Sequence, residues 1–162
     1  MTHSLGGLGP ALGWVQRRLW CVVVLGLLAP VAAGAAALAE PDARAVRRVV
    51  EAQLDAFAAD DAERAFSYAS SSIRAQFGNA TSFMAMVRGA YPMVVRPAAV
   101  SFFQAQAENG AEQAEMTVRQ TVQLRDHGGR LWMAAYLLER QAGAGWRING
   151  CVVVADSAKS LT

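Results

Sequence analysis

The sequence predicts an α+β fold, with N-terminal helices on one face of an antiparallel meander sheet. Three observations carry that expectation. Apolar residues from Val46 to Val87 recur at helical spacing, and after Pro97 the spacing falls to two. The alternating stretches are separated by short glycine-bearing segments of the kind that turn hairpins. Helices followed by a meander bury their apolar stripes against one face of the sheet.

Pro41 and Asp42 open the first helix, since proline fits the first turn and a carboxylate suits the positive end of the helix dipole. Val46, Val49, Val50, Gln53, Leu54 and Phe57 then share a face. Asp60-Asp61-Ala62-Glu63 has the form of a capping box, with Asp60 as N-cap and Glu63 reaching back. It begins a second helix carrying Ala65, Phe66 and Ala69. Ser70 or Ser71 caps a short third helix through Ile73 and Phe77, which Gly78 ends. A fourth carries Phe83, Met86 and Val87 and stops near Gly89. Tyr91-Pro92 and Arg96-Pro97 then predict extended, irregular chain.

Val100 to Ala107, Glu115 to Arg125, Arg130 to Arg140 and Trp146 to Ala155 read as strands. Their separators are Asn109-Gly110, Asp126-His127-Gly128-Gly129 and Ala142-Gly143-Ala144-Gly145. Alternation sends Met116, Val118, Gln120, Val122 and Leu124 toward the helices. Glu115, Thr117, Arg119, Thr121 and Gln123 face the other way. A three-residue loop with Gly129 left-handed pairs Asp126 with Arg130 and sets Gln120 opposite Tyr136, both on the helix side. A three-residue turn before Gly145 brings Trp146, Ile148, Val152 and Val154 to that side as well. The outer face then carries Leu131, Met133, Ala135 and Leu137, with Cys151 and Val153 continuing the patch. Soluble proteins seldom expose such a patch, so it predicts a homodimer packed sheet to sheet.

Ahead of this domain, Arg17-Arg18 precedes an apolar run from Leu19 to Ala29, then Pro30 and small residues ending in Ala37-Leu38-Ala39. A basic flank, an apolar stretch and an A-x-A site are the parts of a secretory signal. Residues 1–39 are therefore expected to be a cleaved signal peptide and residues 40–162 a single domain. The alternative is an uncleaved anchor, because about twenty apolar residues span a bilayer. A twin-arginine route is a further alternative to general secretion. Cleavage removes the chain's formal excess of two positive charges. A neutral domain offers nucleic acid no electrostatic footprint. The bias to arginine and alanine, with Lys159 the only lysine, points to a GC-rich bacterial genome. The expected location is the periplasm or the medium, with no stable membrane anchor. Cys21 leaves with the signal, so Cys151 has no intramolecular partner and reads as a buried thiol.

Several segments resemble a known family: Gln53-Leu54-Asp55-Ala56-Phe57, Asp61-Ala62 with Ala65-Phe66, Phe77-Gly78, Phe83 with Met86-Val87, Tyr91-Pro92, Arg96-Pro97 and Trp146-Arg147-Ile148-Asn149-Gly150. Together they resemble a bacterial family known as domain of unknown function 4864, across essentially the whole domain. That family is similar to the nuclear-transport-factor-two-like superfamily, in which a curved antiparallel sheet wraps helices into a cone. The resemblance thus implies helices in the concave face of a curved sheet. The superfamily holds isomerases, cyclases and dehydratases beside many non-catalytic modules, so fold alone assigns no activity.

The chemistry legible in the residues is sparse. After the leader the one histidine is His127, in a glycine-rich turn, and a zinc site needs several converging ligands. No metal and no cofactor is expected. No nucleophile elbow or phosphate loop is present. Asp55, Asp60, Asp61 and Glu63 lie close together, and capping accounts for Asp60 and Glu63; Asp61 is the one that a catalytic reading would point into the cone. Arg88 and Arg96 flank the Tyr91-Pro92 loop, where they either receive an anion or pair with carboxylates and loop carbonyls. Gln120 and Tyr136 are the informative oddities, because a buried amide and phenol must find partners. They either satisfy each other or line a pocket. The candidate ligand-binding residues are Gln53, Tyr91, Arg96, Gln120 and Tyr136. The expected function is an exported, non-catalytic module that binds a small organic ligand or a partner chain. The alternative is a cofactor-free isomerase, dehydratase or cyclase acting inside the cone.

Overall fold

The computed structural model describes residues 38–108 and 116–156, all within the unit Ala33–Thr162. The expected signal peptide, up to residue 37, and the expected Asn109-Gly110 turn lie outside the described residues. Helix α1 (Glu40–Ala58) has Glu40, Asp42 and a proline in its first turn, as expected. No side chain caps it. The Ala39 carbonyl accepts from the N–H groups of Asp42 and Ala43, both at 2.9 Å, so the expected cleavage point falls at the helix's own cap.

Helix α2 (Ala62–Ser67) is capped by Asp61, whose carboxylate accepts from the Arg64 N–H at 3.0 Å. The capping residue is therefore one later than the Asp60 that the spacing suggests. Asp60 is otherwise engaged: it takes a left-handed conformation, φ 59°, and its carboxylate receives Arg88. Helix α3 (Ser71–Phe77) is capped by Ser70 and stopped by Gly78 at φ 74°, a backbone state glycine adopts without steric cost. Helix α4 (Ala80–Ala90) is capped by Asn79, whose side-chain oxygen accepts from the Ser82 N–H. The Tyr91–Arg96 stretch is not irregular throughout: Pro92–Val95 forms a one-turn helix, α5. Proline disfavours helix at Tyr91, which ends α4, and then serves as the first residue of the next turn.

Strands β1 (Ala99–Phe102), β2 (Gln106–Ala107), β3 (Thr117–Arg125), β4 (Leu131–Gln141) and β5 (Gly145–Ala155) form an antiparallel sheet. Its order is β1-β3-β4-β5, with β2 also on β3. The helices pack against this sheet, giving the α+β class the sequence predicts. The β3–β4 hairpin has the expected register, with Gln120 opposite Tyr136 and Gly129 at φ 83°.

Two bulges correct the strand expectations. The single strand expected over Val100 to Ala107 is divided, because Phe103, Gln104 and Ala105 lie opposite only Gln120 and Thr121. In β5, Asn149 is an extra residue between Ile148, opposite Leu138, and Gly150, opposite Leu137. One extra residue turns every later side chain to the other face. Cys151 and Val153 consequently pack toward the helices, whereas Val152 and Val154 stand on the outer face, 62% and 55% exposed. The cause of this bulge is visible in its contacts. The 68–70 segment docks on β5, with the Ile148 N–H donating to Tyr68 and the Ser70 N–H donating to Ile148, at 2.9 and 2.8 Å. The Asn149 side-chain oxygen accepts from the hydroxyls of Ser70 and Ser72.

The core lies between the helices and the inner sheet face. Val46, Val50, Leu54 and Phe57 of α1 are buried in one cluster with Val118, Val122, Leu124, Ala134 and Leu138. At the α4 side Phe83 meets the rings of Phe57, Phe66 and Phe77 at centroid distances of 6.1, 5.3 and 5.6 Å. Aromatic contacts at these spacings add to simple area burial.

Candidate functional site

The aromatic side of this core does not fill completely. A cavity of about 470 Å³ is bounded by Gln53 and Phe57 of α1, Ile73 and Phe77 of α3, and Phe83, Met86 and Val87 of α4. Tyr91 and Val94 line it from the α4–α5 junction, and Tyr136, Ile148 and Cys151 line it from the sheet. Exposed Gln76 and Ala90 belong to the same wall and mark its mouth. The volume is within the range of about 300–1,000 Å³ typical of small-molecule sites. Among the described residues, none that lines it is Asp, Glu, His, Lys or Arg.

Tyr136 is 1% exposed, and its hydroxyl finds no hydrogen-bond partner. Among the described residues the only other buried side-chain polar atom in that condition is Nε of Arg147, away from this lining. Cys151 sits opposite Tyr136 across the β4–β5 pair. Its thiol stands close enough to perturb the phenol, although no hydrogen bond of proper geometry joins them, and a thiol is a weak partner in any case. Burial holds the Tyr136 phenol well above its ordinary range, with Cys151 adding to the effect. Burial also pushes the Cys151 thiol up to about 12, opposed by its contact with Tyr136. Both groups are neutral at physiological pH.

Of the five candidate residues, the fold brings Gln53, Tyr91 and Tyr136 together around the cavity. Gln53 is anchored there by its side-chain N–H, which donates to the Ala65 carbonyl at 3.1 Å. Gln120 and Arg96 are not part of the lining. The Gln120 amide donates to the carbonyl of Phe103 at 2.7 Å and to that of Thr121 at 3.0 Å. It thereby satisfies a carbonyl at the bulge between β1 and β2, and not the Tyr136 phenol facing it. Arg96 donates from Nε to the Ala58 carbonyl at 2.9 Å, tying the end of α5 to the last turn of α1. Arg88 holds the Asp60 carboxylate below its ordinary range by hydrogen bond and charge. Both arginines thus make the carboxylate and carbonyl contacts that the sequence offered as one of two readings.

Cavity-wall residues missed by sequence reasoning include Cys151, Ile73, Phe77 and Met86. Helical spacing identifies the last three as buried without separating core from cavity wall. Alternation alone sends Cys151 outward, since nothing in it announces the extra residue at Asn149. His127 is exposed in its turn, and among the described residues no cluster of metal-ligating side chains occurs. Nor is any described helix long and apolar enough to cross a membrane. The family model described as Domain of unknown function (DUF4864) matches residues 39–161. No curated protein matches the chain.

Proposed function

We propose, from the premise that this chain belongs to the DUF4864 family, that it is an exported small-molecule-binding protein. The observation that carries the reading is the cavity, with a predominantly apolar wall and one buried, unpartnered phenol. An apolar ligand there exchanges water for aromatic and aliphatic contacts, worth about 25 cal/mol per Å² of apolar surface removed from solvent. Binding is favoured over catalysis by the makeup of the wall. An isomerase, dehydratase or cyclase of the cofactor-free kind needs a general base with a pKa near the working pH. Among the described residues the titratable lining groups are tyrosines and a thiol, and burial raises Tyr136 and Cys151 away from that range. Export rests on the signal-like leader. The placement of helices against one face of an antiparallel sheet supports the kinship with the nuclear-transport-factor-two-like superfamily that the resemblance implies.

The test is direct. Protein purified without organic extraction should release a small molecule on denaturation, detected by comparing native and denatured mass spectra. Emptied protein should bind the neutral dye N-phenyl-1-naphthylamine at one site per chain. Ile73→Trp, which adds bulk to the wall, should weaken the dye by about tenfold, or roughly 1.4 kcal/mol. A folded protein that takes up neither ligand nor dye would refute the reading.

A homodimer through the outer sheet face is a second part of the proposal. Leu131, Met133, Ala135 and Leu137 are half-buried on that face, and the bulge adds exposed Val152 and Val154 to them. The apolar run thus continues through Val152 and Val154 in place of the Cys151 and Val153 that simple alternation puts there. Two copies placed face to face would withdraw it from water.

A further inference from the structure

The cavity's wall also constrains what chemistry it accepts. Resting on the binding reading above, we infer that its ligand is an uncharged, largely apolar molecule carrying a hydrogen-bond acceptor that meets the Tyr136 hydroxyl. Three observations converge on that class. First, a charged ligand would lose its hydration to a wall in which the described residues supply no ionised side chain to replace it, a cost that is severe without a partner. Second, Phe57, Phe77, Phe83 and Tyr91 line the space, so a planar apolar body finds ring faces and edges on several sides. Third, the polar groups of the wall are unequal. Gln53 already donates to Ala65, whereas the Tyr136 hydroxyl is buried with no partner. A phenol is a donor first, and the neighbouring Cys151 sulfur is a poor acceptor for it. A ligand acceptor completes that hydroxyl, while a ligand with only a donor leaves the phenolic proton unpaired, which is the costly half of the arrangement.

The inference is tested with three naphthalenes of matched shape: 2-acetylnaphthalene, 2-ethylnaphthalene and 2-naphthoate. They differ at one substituent, which is an acceptor, an apolar group or a charge. Dissociation constants come from displacement of the neutral dye, on the wild-type protein and on Tyr136→Phe. The acetyl compound should bind the wild type about three- to tenfold more tightly than the ethyl compound, the scale of one net hydrogen bond. Naphthoate should bind most weakly. In Tyr136→Phe the acetyl advantage should vanish, with the ethyl compound unchanged or slightly improved. Tightest binding by naphthoate, equal binding of acetyl and ethyl compounds to the wild type, or an acetyl advantage that survives in Tyr136→Phe each overturns the inference and leaves the binding reading standing. If the wild type binds none of the three and no dye, the binding reading itself falls. Should Tyr136→Phe fail to fold, the wild-type ranking of the three compounds still decides.

Discussion

From Thr117 opposite Glu139 to Arg125 opposite Leu131, the β3–β4 hairpin runs in one register without interruption. Between β4 and β5 the pairing shifts by one residue at Asn149. The first hairpin does one thing, sending a single alternating set, Val118, Gln120, Val122, Leu124, Ala134, Tyr136 and Leu138, toward the helices. The second does two. Before the shift it buries Trp146 and Ile148; after it, Cys151 joins the cavity wall while Val152 and Val154 reach the outer face. Alternation governs a strand only while its partner strands are the sole claim on its backbone. Where Tyr68–Ser70 also docks, the bulge settles the competition.

The strongest way to break this comparison sets a core residue of the regular hairpin against a residue turned outward by the bulge. Leu138 is fully buried, and Leu138→Ala should cost about 2–5 kcal/mol in urea unfolding. Val152→Asp should stay within about 0.5 kcal/mol of wild type when measured on dilute, monomeric protein, because its side chain is 62% exposed. Under unbroken alternation Val152 would point inward and the aspartate would be ruinous. A loss above about 2 kcal/mol for Val152→Asp would therefore restore the simple register and discard the bulge. At micromolar concentration the same variant should halve the mass seen by light scattering, if the outer face pairs as proposed.

A smaller effect is expected at the bulge itself. Asn149→Ala removes the acceptor shared by the Ser70 and Ser72 hydroxyls and should cost about 1–2 kcal/mol. Ser70→Ala loses that contact together with the cap on Ile73, so the two substitutions should couple in a double-mutant cycle. Faster hydrogen exchange at the Ser70 and Ile148 amides would locate the damage. Additive losses, with exchange unchanged, would mean that Asn149 does not hold the docked segment.

These contrasts also explain what was legible in the sequence. Glycine placement and strict alternation define the β3–β4 hairpin, down to Gln120 opposite Tyr136. The helix caps are local and so legible to within a residue, with Asp61 capping α2 in place of Asp60, whose carboxylate pairs with Arg88. The cavity was half legible. Gln53, Tyr91 and Tyr136 stand out as polar or amphipathic residues among apolar neighbours. Gln120 stands out for the same reason, yet its amide serves a backbone carbonyl freed by the β1–β2 bulge. Both bulges depend on contacts between segments far apart in the chain. In β5 these run from Asn149 to Ser70, and no window of local sequence contains both.

The least effect at neutral pH, and the most specific probe of the second hairpin, comes from Cys151. Its thiol is turned toward Tyr136 by the bulge, and burial raises its pKa from an ordinary 9.0 to about 12. An acid whose folded pKa is raised contributes nothing to the pH dependence while both states stay protonated, so no effect is expected at pH 7. Above pH 9 the unfolded chain releases the proton and the folded chain keeps it. The unfolded state then binds fewer protons, so stability falls as pH rises from about 9 toward 12. The limiting slope is about 1.4 kcal/mol per pH unit for one group. Tyr136, raised in the same direction from 10.0, steepens the fall at higher pH. Urea midpoints recorded from pH 7 to 10.5 should therefore decline for the wild type above pH 9. In Cys151→Ala the decline should begin later and run shallower, once the constant packing difference at pH 7 is subtracted. Alkylation of the native thiol by iodoacetamide should stay slow through pH 9 and show no inflection there. A rate that rises with an apparent pKa near 9, together with parallel stability curves, would place the thiol in solvent on the outer face. That is where unbroken alternation puts it, and the distinction between the two hairpins would then disappear.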